Sequence, residues 1–167
     1  AATPAQQISI ERARWRADAP PLLELSMRVD LGATAGAALD AGLALRFRVE
    51  FRGENGPALV QTLLLRASPL LRSYNLAIGT EAPQQHGLRN ALLLAFENAR
   101  VPFDAVGSCA PDCPGRVRVR LDLAALPPPL RLPALSDPDW SWRPGGWCAT
   151  CAHAPPAPAS PGVCSNA

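Results

Sequence analysis

From Arg116 to Leu123 every second residue is charged and every residue between is aliphatic: Arg116, Arg118, Arg120 and Asp122 alternate with Val117, Val119, Leu121 and Leu123. A period of two is the signature of an extended chain whose side chains fall alternately on two faces, one buried and one wet. A strand of this kind is stable only when it is paired with others over a shared core. A one-residue slip would send all three arginines and the aspartate inward, so its register is firmly set. The chain must therefore build an antiparallel sheet with one solvated face.

The same alternation recurs upstream. Ile8 and Ile10 alternate with Ser9 and Glu11, and Ala13 and Trp15 continue the pattern one position out of phase, which predicts a first strand over 7–16 carrying a bulge. After Asp18-Ala19-Pro20-Pro21, the residues Leu23, Leu25, Met27, Val29 and Leu31 alternate with Glu24, Ser26, Arg28 and Asp30, completing a hairpin. Leu43, Leu45, Phe47, Val49 and Phe51 alternate with Arg46, Arg48 and Glu50 in a third clear strand. The stretch from Leu59 to Ile78 reads as one strand or two, with a break near Ser68-Pro69, because proline removes a ladder donor. Gly79 to Gly87 reads as a polar loop.

Two segments depart from a period of two. Between Gly32 and Gly42, Thr34 is placed to cap a short helix through Leu39 and Ala41. Between Leu88 and Val101, Leu88, Leu92, Ala95, Phe96 and Ala99 share one side of a helix of about three turns. Further on, Pro127-Pro128-Pro129 predicts a stiff extended segment, and Asp139-Trp140-Ser141-Trp142 a last aromatic edge. From 143 to 167 Pro, Ala, Gly, Cys and Ser dominate and periodicity is lost, so this stretch reads as a tail. The expected architecture is mainly β: an antiparallel sandwich or half-open barrel over 7–142, with one short and one longer helix. A length of 167 residues suits a single core.

The opening residues Ala1-Ala2-Thr3-Pro4-Ala5-Gln6 read like a mature terminus left by signal-peptide removal, a leader over 1–6. No run of apolar residues is long enough for a membrane span. Cys109, Cys113, Cys148, Cys151 and Cys164 suit disulfides in an oxidising compartment, although an odd count leaves one over and sequence does not choose the pairing. Zinc held by Cys109, Cys113, Cys148 and Cys151 is the less favoured use of the same residues, since Pro111 sits inside an unusual Cys-x3-Cys spacing. Cys148-x2-Cys151 is not followed by a sequence that easily forms the helix needed to stabilise a thiolate, because Ala152-His153-Ala154-Pro155-Pro156 comes next.

No nucleophile elbow, zinc-protease helix or phosphate-cradling glycine loop is present. His86 and His153 stand far apart and outside any ligand motif, and a histidine alone in a loop is ordinarily a solvated side chain. Asp137 and Asp139 read as a charged turn before Trp140. No catalytic residue, cofactor or metal is assigned.

The block Arg118-Val119-Arg120-Leu121-Asp122-Leu123, followed by Leu126-Pro127-x-Pro129-Leu130, Ala134-Leu135-Ser136 and Asp139-Trp140, resembles the signature of an uncharacterised proteobacterial family, the domain of unknown function 4390. The resemblance extends less specifically over Ile8 to Trp142, through Tyr74 and the helix of Leu88 to Ala99. It implies a small exported or membrane-anchored protein, periplasmic or secreted, and it carries no active site. The stretches bearing cysteine at 109–113 and 148–164 are additions to that pattern.

The outward arginines are the candidate functional group. All 16 basic side chains are arginine, yet the formal charge is only +2, so charge matters through placement rather than total. If the strands bearing Arg46 and Arg48 and Arg116, Arg118 and Arg120 are neighbours, they form a basic face. That face, with Trp140 and Trp142 at an edge, suits a non-enzymatic domain that binds an envelope protein or a membrane-associated ligand. The alternative is a small apolar or lipid ligand held inside the sandwich or half-barrel. With aromatic residues at 5%, nucleic acid is the least fitting partner.

Overall fold

The computed structural model describes residues 8–16, 21–53, 58–103, 115–129 and 131, together with the backbone of 145–151. Among these residues the main elements follow one another as β1 (Ile8–Arg16), β2 (Leu22–Val29), α1 (Gly32–Asp40), β3 (Leu45–Arg52), β4 (Leu59–Ser68), β5 (Ser73–Ile78), β6 (Gln84–His86), α2 (Arg89–Glu97), β7 (Arg100–Pro102), β8 (Gly115–Leu121) and β9 (Gly145–Cys151). The lateral order is β6-β5-β4-β3-β8-β9-β1-β2-β7. Two antiparallel sheets, β1-β2-β7 and β6-β5-β4-β3-β8, meet at β9. That strand runs antiparallel to β8 and makes a short parallel contact with β1 at Arg14 and Trp15. The sheet is not closed: β6 and β7 are its free edges, and α2 is the chain segment that joins them. The helix packs against β2, β5 and β6, over the seam of a half-open barrel.

Alternation decides which side of each strand is buried. Leu45, Phe47, Val49 and Phe51 on β3, Leu63 and Leu65 on β4, and Val117, Val119 and Leu121 on β8 all enter one continuous core with Ile8, Ile10, Ala13 and Trp15 of β1 and Leu23, Leu25 and Met27 of β2. Inside, the Trp15 ring lies parallel to Phe51 at 4.3 Å and tilted to Phe103 at 5.7 Å, while Phe96 of α2 meets Phe47 at 4.7 Å. These rings meet across the interior, where an enclosed apolar ligand would have to lie. Gln61 is the polar exception on the inward face of β4: its Nε2 donates to the Pro102 carbonyl at 2.9 Å, tying β4 to the edge strand β7.

The predicted bulge in β1 is present, with the register against β2 shifting between Ile10 and Arg12. The stretch from Leu59 to Ile78 is two strands of a hairpin, turned over Pro69 to Arg72. Other expectations need correction. Thr34 does not cap α1: the helix begins at Gly32, whose N–H donates to the Asp30 carboxylate at 2.9 Å. Its other end is a Schellman motif, with Gly42 N–H to Leu39 O and Leu43 N–H to Ala38 O, and Gly42 takes the left-handed φ of +96° that this closure needs.

The second helix stops at Glu97 rather than running to Val101. The Asn98 side chain bonds the Leu94 carbonyl at 3.0 Å, and Ala99, Val101 and Phe103 are buried as extended chain, Pro102 being unable to continue a helix. Leu88, expected on the buried side, is 70% exposed. The segment 79–87 contains β6 rather than loop alone, and His86 is half-buried on that strand opposite Tyr74. Leu123 belongs to a 3-10 turn, Leu123–Ala125, capped by the Asp122 carboxylate, instead of continuing β8. Pro128, Pro129 and Arg131 are helical rather than extended, which proline tolerates in a first turn, and the Arg131 Nε donates to the Leu126 carbonyl at 2.7 Å. Finally, Gly145–Cys151 is a strand in the middle of the sheet, inside the stretch read as a tail.

Candidate functional site

Strands β3 and β8 are direct antiparallel neighbours, so the predicted arginines converge. Arg48 stands opposite Arg120, Glu50 opposite Arg118, and Arg52 opposite Arg116, while Arg46 lies one step beyond and its carbonyl accepts the Asp122 N–H at 2.8 Å. All of these side chains leave the wet face, because their strand neighbours Phe47, Val49, Phe51, Val117 and Val119 occupy the core. Arg52 joins the five arginines expected from the sequence. Against six arginines the two strands set Glu50, with Asp122 just past the end of β8.

Glu50 is the centre of the electrostatics. It lies 3.3 Å from Arg120 and 3.9 Å from Arg48, so one half-buried carboxylate bridges an arginine pair that would otherwise face each other unscreened. Among the described residues no carboxylate lies within ion-pair distance of Arg46, Arg52, Arg116 or Arg118. The β1–β2 face of the same molecule is built differently. There Arg16 pairs with Glu24 at 3.1 Å and Arg28 with Glu11 at 2.7 Å, and Arg14 stands opposite Glu24 in the ladder.

A second polar group forms at one end of the barrel. Asp40, the last residue of α1, accepts from the Tyr74 hydroxyl at 3.0 Å and from Arg89 at 2.8 Å, joining α1, β5 and α2. The hydrogen bond to Asp40, partial burial and the negative charge of Asp40 hold the Tyr74 hydroxyl above the ordinary tyrosine value, while Arg89 opposes the rise. These side chains border an open groove of about 310 Å³ between the β4–β5 turn and the start of α2. Ser73 lines it, and the serine Oγ is buried without a hydrogen-bond partner.

Sequence reasoning missed this cluster because its members come from the ends of separate elements. It also missed Leu70 and Leu71, 97% and 72% exposed. The signal was there: two consecutive leucines following Ser68-Pro69 cannot both alternate inward. Trp140 and Trp142 and Cys109, Cys113 and Cys164 lie outside the described residues. Cys148 and Cys151 lie along β9, opposite Arg116 and Trp15. Among the described residues no group of three or more His, Cys, Asp or Glu is placed to hold a metal ion, and no helix is long and apolar enough to cross a membrane. Comparison with known proteins finds no matching protein family, curated protein or solved structure.

Proposed function

We propose that this chain is a non-enzymatic interaction domain of the bacterial envelope, akin to the domain of unknown function 4390 family, and that it docks an acidic face of a partner protein on the β3–β8 arginine ladder. The observation that carries this reading is the pair of like-charge oppositions, Arg48 to Arg120 and Arg52 to Arg116. Like charges directly opposite on neighbouring strands destabilise a sheet, whereas opposite charges add about 0.2–1 kcal/mol per pair. The β1–β2 face follows the stabilising rule, whereas the β3–β8 face follows it only at Glu50, which stands opposite Arg118 and bridges Arg48 and Arg120, and Arg52 and Arg116 oppose each other with no described carboxylate in reach. An acidic partner surface would supply counter-charge to Arg46, Arg52, Arg116 and Arg118, which no described carboxylate reaches, steering encounter and fixing register. The strand block from Arg118 to Leu123 and the Leu-Pro-x-Pro block after it support the envelope placement through their resemblance to that family.

Affinity capture from an envelope extract tests the proposal, comparing the native chain with an Arg116→Glu/Arg118→Glu/Arg120→Glu variant. The native chain is expected to retain a partner that raised salt releases. The variant is expected to recover it at least about tenfold less, since reversing close interfacial charges costs more than about 1.4 kcal/mol. Equal recovery by both chains overturns the reading.

A further inference from the structure

The β4–β5 turn ends in a protrusion that the arginine ladder does not explain. Pro69, Leu70, Leu71 and Arg72 connect Ser68 to Ser73, closed by an Arg72 N–H to Pro69 carbonyl bond of 3.4 Å. Arg72 holds a left-handed φ of +48°, uncommon for a residue with a side chain. Pro69 rests beside Gly42, where a side chain on that glycine would come within 3.6 Å of the proline ring, so the turn is buttressed from the α1–β3 connection. The consequence is two adjacent leucines held outward at the apex of a hairpin, 97% and 72% exposed, with Leu88 a further 70% exposed apolar side chain across the groove.

Charge surrounds this apex. Arg72 is within it, Arg66 is exposed on the outer side of β4, Arg46 lies on the neighbouring strand, and Arg89 lines the groove. Among the described residues the carboxylates at this end are Asp40, already engaged by Arg89 and Tyr74, and Asp122, engaged in capping the 3-10 turn. A convex apex of two side chains buries little area against a rigid, flat protein face. A bilayer deforms around it, takes the leucines into its acyl boundary and offers phosphates to the arginines behind them.

We propose that the β4–β5 turn is a membrane-contact tip: Leu70 and Leu71 enter an anionic phospholipid bilayer, and Arg66 and Arg72 rest on its headgroup phosphates. This surface adjoins the β3–β8 ladder at Arg46, but its own contact residues Leu70, Leu71, Arg66 and Arg72 lie outside the ladder, and it takes a different occupant. A juxtamembrane arginine strengthens attachment to an anionic surface by about fivefold, and burying a leucine side chain contributes more than about tenfold. Attachment therefore depends on both residue types and weakens as salt is raised.

Vesicle flotation of the full chain tests this, using phosphatidylcholine vesicles with and without phosphatidylglycerol. The native chain is expected to float with vesicles containing phosphatidylglycerol. Leu70→Ser/Leu71→Ser is expected to lose at least about tenfold in partitioning, and Arg66→Glu/Arg72→Glu to lose comparably on the anionic vesicles. Leu94→Ser, which removes a 63% exposed leucine from the outer side of α2, is expected to behave as native. Because the altered side chains lie outside the core, thermal melting of each variant should match the native chain, and that match keeps the comparison free of unfolding. Failure of the native chain to float, undiminished flotation of the leucine variant, or an equal loss in Leu94→Ser overturns the proposal. So does sedimentation showing that the leucines instead join two copies of the chain with no affinity for vesicles.

Discussion

Tyr74 is the chain's single tyrosine, so its ionisation is read without interference in near-ultraviolet absorbance. Its hydroxyl donates to Asp40, and this bond, partial burial and the adjacent negative charge all disfavour the phenolate. The folded value is raised, so the contribution of Tyr74 to stability is fully present below the ordinary tyrosine range. It is lost as pH climbs through the folded value, where the Asp40 bond must break. The titration midpoint should lie above that of the unfolded chain, and Asp40→Asn should bring it down. A midpoint unchanged by the substitution would show that the negative charge of Asp40 does not govern the hydroxyl. At Gly115 the constraint is space, since a Cβ would fall within the Phe51 ring, itself stacked on Trp15. Neither detail was legible beforehand. Asp40 and Tyr74 are 34 positions apart and Asp40 and Arg89 are 49 apart, and what unites them is that α1 ends where β5 and α2 begin.

Among the elements, α2 has a role that its length does not suggest. It covers the seam between the free edges, with Leu92 and Phe96 fully buried beneath it. Phe96→Ala removes the ring that meets Phe47 and should cost about 3–5 kcal/mol in urea denaturation, whereas Leu94→Ser on the outer side should stay within about 0.5 kcal/mol. Similar losses for both would mean that the helix does not close the core. The strands β3 and β8 were legible because each carries strict alternation, which ran on past their ends at Leu43 and Leu123, and so were five of the six arginines that their pairing brings together. Strands β6 and β7 were not: three residues hold too little pattern, and their pairing partners lie elsewhere in the chain. The helix was placed well at its start and overrun at its end, because Ala99 and Val101 fit the apolar spacing of a helix and also the inner side of an edge strand. Strand β9 was hidden by composition, since Gly145-Gly146-Trp147-Cys148-Ala149-Thr150-Cys151 has no polar and apolar alternation to reveal it.

For the molecule as a whole, the lateral order predicts a gradient of protection. β3 is paired along its length on both sides and lies over the core, whereas β6 and β7 are edges of three residues each. Hydrogen exchange should be slowest at Phe47 and Val49 and fastest at Gln85 and Arg100, and equal protection at the edges would argue for a closed barrel. The placement of β9 carries a further consequence, for the order in which the fold is completed. The strand comes last along the described chain and yet sits between β8 and β1, which it alone connects laterally. While a chain emerges from a ribosome, amino end first, both of those neighbours are made before the piece that separates them. Until residues 145–151 arrive, each presents an open row of unpaired backbone donors and acceptors. The nascent molecule is thus two half-sheets awaiting a common seam, with a period of vulnerability to mispairing that only its late segment can end.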